Sequence, residues 1–447
     1  MFDAAGTRGA RPGRGSTLGR SSGIWEWLDA LRAAPLFALA MLLYMGLPSS
    51  IIFPGGSASM ITAWHPAYPG WYDLVFASLA ALDLILTRQR VPGGPIVVCI
   101  AFLALVVISV VSNTATPVGD NTFSDALLYW LRFSLTFVWA AALTKKNGVE
   151  ATSQVLFAVG LLLMASAIFV FRLQYPEFNR IYASGVTVGS FGQVLLILFV
   201  IAMIRNHVGM MLVCLIFLIL TFSRTALLLW LASLGYFLFT RSKIRVGRRV
   251  LYGSLILILF ASSTLILMHY PEFQFVISER LDMDDIYSMN RRTEVWRYGL
   301  DLLDSGSIPP FGVGFNGSPS VLLDFVAVST DDPSQTLYFP SFHSILFEYA
   351  IGLGWLSLPV FSFLLWRIFR TWRTKSNLAF YVYSLFLLSQ SFDFSFYRPK
   401  EVIIWAAFLG LAEGEILSNQ RGFRKRARES LKRQGLATAP RSVAPAA

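Results

Sequence analysis

The chain has 447 residues, 55% of them drawn from Ala, Val, Ile, Leu, Met, Phe, Trp, Tyr and Cys, only 14% charged, and a formal net charge of +11. Soluble domains run near ~45–50% apolar and about 25% charged, so this composition argues against a soluble enzyme. The 37 phenylalanines and 12 tryptophans argue equally against a chain that stays unfolded, which leaves an all-α polytopic membrane protein.

In chain order, residues 1–33 carry Arg8, Arg11, Arg14, Arg20 and Arg32 with no short apolar core and cleavage site, and read as a cytoplasmic tail. Twelve apolar stretches follow, near 34–53, 71–86, 95–112, 125–143, 152–171, 186–204, 207–222, 225–240, 250–268, 342–366, 378–392 and 401–417. The expected layout is nine spans within 34–268, one large loop at 269–341, three spans within 342–417 and a basic cytoplasmic tail at 418–447. With the N-terminus inside, 27 of the 37 Lys and Arg fall on cytoplasmic segments, nine on the opposite side, and Arg132 inside a span. The positive-inside rule then sets both termini in the cytoplasm. Most of the +11 is therefore a topological address, and no nucleic-acid partner is expected.

The 73-residue outer loop holds 11 acidic residues against four arginines. Loops of this length without regular structure are usually functional. Within it, 291–304 places Val295, Trp296, Leu300 and Leu303 near helical spacing and predicts a short amphipathic helix, closed by Ser305-Gly306-Ser307 and Pro309-Pro310. Asp282-Met283-Asp284-Asp285 and Asp331-Asp332 read as solvated acidic turns rather than metal ligands. Gly312 and Gly314 of PFGVGFNGS are expected to serve tight packing on the loop helix, ahead of a backbone cradle for phosphate.

Cys99 and Cys214 lie in apolar stretches, so no disulfide framework or zinc site is expected. The chain has no GxxxxGK[ST], HExxH or CxxC motif, which argues against ATP hydrolysis, a zinc protease site and a redox pair. Of four histidines, His343 stands where the large loop re-enters the membrane, with a structural cap and a functional group equally open as readings. Basic residues are scarce on the outer side, so Arg180, Arg224 and Arg292 each need a reason: singly an interfacial anchor, together a fork-shaped receptor for phosphate. At membrane depth, Arg132 reads as an interior ion-pair partner with Asp83 as a candidate mate, and Glu348 as a second-choice acid or base. Asp393, Arg398 and Lys400 fall at the last outer loop and fringe the same region.

Four segments carry a family resemblance. FHSILFEYAIGLGW (342–355), LTFSRTALL (220–228), RRTEVW with PPFGVGFNG, and the RIYASG loop together resemble the O-antigen ligase and O-antigen/exopolysaccharide polymerase superfamily over about residues 150–415. The resemblance implies a type-C glycosyltransferase architecture in the bacterial inner membrane. It also implies inverting transfer from an undecaprenyl-pyrophosphate-linked glycan at the periplasmic face, without a cofactor or metal. The acceptor would be lipid A-core in a ligase, slightly preferred, or a second lipid-linked glycan in a polymerase. By position, Arg180 and Arg292 would hold the donor pyrophosphate, His343 would be the catalytic histidine, and Arg224 would match the S-R stretch. Arg291 competes with Arg292 for the loop position. A twelve-span transporter or lipid-linked glycan flippase is the rival class, although the two halves show no repeat. An assembly scaffold without chemistry is the third reading.

Overall fold

The computed structural model describes residues 31–46, 71–86, 91–115, 123–174, 183, 186, 188–221, 223–240, 283–315, 317, 321–322, 327–328, 336–337, 341–374, 376–394 and 399–433. The helices are α1 (Pro35–Gly46), α2 (Trp71–Leu86), α3 (Gly93–Ala115), α4 (Phe123–Gln174), α5 (Val188–Arg205), α6 (Val208–Leu220), α7 (Arg224–Thr240) and α8 (Met283–Asp304). They continue as α9 (Ile345–Leu353), α10 (Ser357–Arg373), α11 (Asn377–Phe392) and α12 (Pro399–Arg433). Among the described residues, one small antiparallel pair, β1 (Ala327–Val328) and β2 (Thr336–Leu337), is the exception to an otherwise helical structure. The expected span at 250–268 and the Asp331-Asp332 turn lie outside the described residues. Among the described residues, three segments are long and apolar enough to cross a membrane: Gly93–Ser112, Ala126–Arg172 and Ile345–Arg373.

The second of these is not one rod. Gly148 leaves the helical region at φ 88°, ψ 163°, a backbone open to glycine alone. Thr144 Oγ1 then lies 3.0 Å from Thr152 Oγ1, whereas eight residues of straight helix would separate them by about 12 Å. The chain reverses there, so α4 consists of two antiparallel arms, as the separate stretches 125–143 and 152–171 predict.

α12 packs along α4, and two glycines one turn apart allow the close approach. A Cβ on Gly410 or Gly414 would press into Ala140 or Thr144, the small-xxx-small packing that brings helix backbones together in lipid. α11 sits between α12, α10, α5 and α7, and α5 also packs on α6. Far from ending near 417, α12 runs on to Arg433, so half of the expected basic tail is helical.

Contacts sort the helix ends into two groups. At one end Glu150 pairs with Arg205 and His207, each at 3.1 Å. At the same end Asn147 reaches the Ala33 carbonyl, and Asn419 reaches Ser376. At the other, Lys400 donates to the Met45 carbonyl, Gln193 to the Asp393 carbonyl, and Arg132 makes a bidentate pair with Asp73 at 2.6 and 2.9 Å. Arg132 thus has Asp73 as its partner and not Asp83, whose carboxylate accepts the Trp139 indole N–H. The sequence offers Asp83 as the mate, and the packing of α2 on α4 gives Arg132 to Asp73 instead.

The tenth expected span is broken. α9 ends at Gly354 (φ +56°), a 3₁₀ turn follows, and α10 begins at Ser357. The carbonyls that α9 leaves open are taken by the loop segment PPFGVGF: Val313 N–H donates to Ile351 O (2.9 Å) and Gly314 N–H to Gly352 O (3.1 Å). In return Trp355 N–H donates to Pro310 O (2.9 Å), and Ser109 Oγ adds a bond to Gly352 O (2.8 Å). Phe315 at the tip packs edge-on against Phe102 and Tyr129, well inside the bundle. Irregular backbone at that depth is tolerated because protein satisfies it. Gly312 and Gly314 therefore lock onto α9 instead of α8, and the Val313 and Gly314 N–H groups are spent on carbonyls, so they form no phosphate cradle.

Candidate functional site

α8 starts at Met283, eight residues before the expected helix, so Asp284 and Asp285 fall in its first turn and not in an acidic loop turn. Its packing stripe also differs from expectation. Val295 is fully buried, Tyr298 and Leu302 pack beside it, and Gly299 lets Phe342 and Phe347 come close, while Leu300 and Leu303 are exposed. The helix has turned so that a glycine, which carries no hydrophobicity signal, marks the contact line.

This register brings Trp296 and Arg292, one turn apart, to the segments on either side of α9 and α11. The Trp296 indole N–H donates to the Phe342 carbonyl at 2.7 Å. Arg292 donates to the Phe392 carbonyl at 3.0 Å and lies 3.6 Å from the Asp393 carboxylate. The next residue, Phe394, donates its N–H to the His343 carbonyl at 3.1 Å. Three consecutive residues, 392–394, thereby hold both the loop arginine and the re-entry histidine.

His343 itself has φ +54°, a left-handed backbone that costs a non-glycine residue about 1–2 kcal/mol. Its surroundings over-determine that conformation. Its N–H meets Ser341 Oγ (3.2 Å), its carbonyl meets Phe394, and Phe342 N–H donates to Glu348 Oε1 at 2.6 Å. Glu348, buried one turn into α9, is thus engaged with the backbone of the residue before His343. Strain retained under this many restraints is characteristic of functional positions.

Asp393 completes the site. It stands just past α11, its carboxylate against Gly189 at the start of α5, where a Cβ would overlap it. Its carbonyl accepts from Gln193, whose own amide oxygen accepts from Gln390. Burial pushes the Asp393 carboxyl above the usual carboxylate range, and the Arg292 guanidinium pulls it back down. Removing that guanidinium therefore moves the carboxyl further up. Arg292→Gln is expected to shift the acidic limb of the activity profile to higher pH, read as rate against pH; an unmoved limb would separate Asp393 ionisation from activity.

One turn along α5, Gly192 packs on Ser223, which caps α7 by accepting the Ala226 N–H (3.4 Å). Arg224, the next residue, opens α7 at the same end of the bundle as His343, Arg292 and Asp393. Arg180, Arg398 and the side chain of Arg291 lie outside the described residues. Ala183 and Val186, which follow Arg180 in sequence, are both buried, and Val186 N–H donates to Ala183 O (3.1 Å). Among the described residues no group of three or more His, Cys, Asp or Glu could hold a metal ion. Residue-by-residue reasoning placed Asp393 only at the fringe and did not single out Gln193 or Gln390. Their signal is the packing of three helix ends, which no local pattern carries.

The described residues form a bundle of apolar helices, as a multi-pass membrane protein would, and the bundle gathers a histidine, an arginine and a carboxylate at one end. Residues 209–362 match the family model described as O-antigen ligase, which bears out the superfamily resemblance and supports a glycan transferase of the ligase or polymerase type. The matched segment contains Arg224, Arg292, His343 and Glu348, and stops short of Asp393. No curated protein matches the chain.

Proposed function

We propose that the protein transfers a glycan from an undecaprenyl-pyrophosphate carrier to a sugar hydroxyl at the periplasmic face of the bacterial inner membrane. The orientation is N-in/C-in with twelve spans, lipid A-core is the preferred acceptor, and a second lipid-linked glycan is the alternative. The observation that carries this reading is the convergence of His343 and Arg292 on residues 392–394, at the opposite end of the bundle from the Glu150–Arg205 cluster. Positive-inside counting makes that the periplasmic end.

The chemistry follows from these residue types. The acceptor hydroxyl attacks the anomeric carbon, its proton passes to the His343 imidazole, and the bond to the pyrophosphate oxygen breaks on the opposite side, inverting the centre. Arg292, half-exposed and fixed by Phe392 and Asp393, faces the negative charge that builds on the leaving oxygens. Arg180 and Arg224 join it on the donor pyrophosphate, and Arg291 and Arg398 are reserves for the same task. A fixed guanidinium already oriented by a carboxylate needs no reorganisation as the charge develops.

A deletion strain tests the assignment. Loss of polymer from lipopolysaccharide with build-up of lipid-linked polymer is expected for a ligase, and single-repeat products for a polymerase. An unchanged surface and lipid-linked glycan profile would contradict both.

A further inference from the structure

The end of the bundle away from the site carries a second arrangement that glycan transfer leaves unused. On α10 the buried row is Leu364, Arg367 and Thr371. Arg367 reaches inward to Glu413 of α12 (3.0 Å), which also accepts the Tyr383 hydroxyl. The guanidinium lies over the Trp366 ring at 4.8 Å, and Arg370 covers the same ring at 5.0 Å. Glu413 thus anchors Arg367, Arg367 fixes the indole, and the indole orients Arg370. Trp366, Phe369 and Trp372 are 47%, 54% and 58% exposed, and Phe369 and Trp372 pair at 6.1 Å.

Arg370 and Arg373 sit one turn apart at the point where the candidate span Ile345–Arg373 ends. The chain has no acidic residue between Glu348 and Asp393. Among the described residues, no carboxylate lies within ion-pair distance of either arginine. Glu413 influences Arg370 at longer range but is held by Arg367 and Tyr383.

We propose that this face of α10 is a binding site for an anionic phospholipid, its headgroup phosphate on Arg370 and Arg373 and its acyl chains along Trp366 and Phe369. Two features identify the occupant. The face continues the lipid-facing side of a membrane span, where Leu365 is also exposed, so its apolar part lies in hydrocarbon. Its charged part is purely basic and at interface depth, where aromatic rings and arginines meet phosphate headgroups. An acidic peptide would match the charge but not the aromatic row.

Native mass spectrometry of the full-length protein in detergent, titrated with phosphatidylglycerol or phosphatidylcholine, tests the site. Arginines near an anionic surface contribute about fivefold each, so R370Q/R373Q is expected to weaken phosphatidylglycerol binding by about thirtyfold and leave phosphatidylcholine unchanged. Trp366→Leu, which keeps both arginines but removes the ring that orients Arg370, is expected to weaken it about two- to fivefold, and serves if the double variant folds poorly. Equal binding of the two lipids by the wild type, or phosphatidylglycerol binding unaltered in both variants, would overturn the proposal. So would a loss of self-association in R370Q/R373Q with lipid binding intact, which would assign the face to a second copy of the chain.

Discussion

His343→Ala is expected to lower glycan transfer by about 10²–10⁴-fold, the usual contribution of a positioned general base, with donor affinity close to that of the wild type. The separation arises because the donor's charge is met by guanidinium groups, whereas the imidazole acts on the acceptor proton. Folding is not expected to interfere. Alanine at φ +54° bears a strain similar to that of histidine, and the bonds made by the backbone of residues 342 and 343 and by Ser341 are kept in the variant. His343→Gly accepts the left-handed backbone without strain, so it is expected to fold as well as the wild type and still fail in transfer. Measured side by side, the two variants separate a backbone role from a chemical one. Near-wild-type turnover in either would remove His343 as the base.

The second large effect concerns the lock between PPFGVGF and the broken helix. Gly312 has φ +80°, and a Cβ there would run into the Gly352 carbonyl and the Leu353 amide. Gly354 has φ +56° and would strike Pro310 in the same way. Gly312→Ala combines about 1–3 kcal/mol of backbone strain with about 1–3 kcal/mol of overpacking. It also threatens the bonds to Ile351 and Gly352 that satisfy α9. Thermal inactivation in detergent is expected to show a marked loss of stability. Gly306→Ala is the matched control, with φ +69° and nothing within 4 Å of the added carbon, so only the strain applies. Equal losses in the two variants would mean that the lock contributes nothing.

The helices were legible because apolar stretches of span length need no partner to be recognised, and even the α4 reversal follows from Lys145-Lys146-Asn147-Gly148 between two such stretches. The sequence singled out Arg292 as a basic residue on the side where such residues are scarce, and His343 by its place where the large loop re-enters the membrane. What stayed hidden depends on pairs distant in sequence. Asp83 is the expected mate of Arg132, and only the packed structure gives that arginine to Asp73. Gly312 reads as packing on the loop helix and Gly354 only as part of the 342–355 signature, while the two meet each other across 42 residues. The Leu300/Leu303 stripe failed because α8 turns its glycine, not its leucines, toward Phe342. Asp393 gave no sign beyond proximity to a loop, since its importance lies in the three helix ends that converge on it.

The most direct measurement is product formation by the purified protein in detergent, supplied with lipid-pyrophosphate-linked glycan and a sugar acceptor, with a metal chelator present. Wild-type protein is expected to form the elongated or acceptor-linked glycan with inverted anomeric configuration, Arg292→Ala to weaken both donor binding and turnover, and His343→Ala to retain donor and form no product. Solute or lipid movement across vesicles without any new glycosidic bond, unaffected by His343→Ala and Arg180→Ala, would contradict the account and favour a transporter.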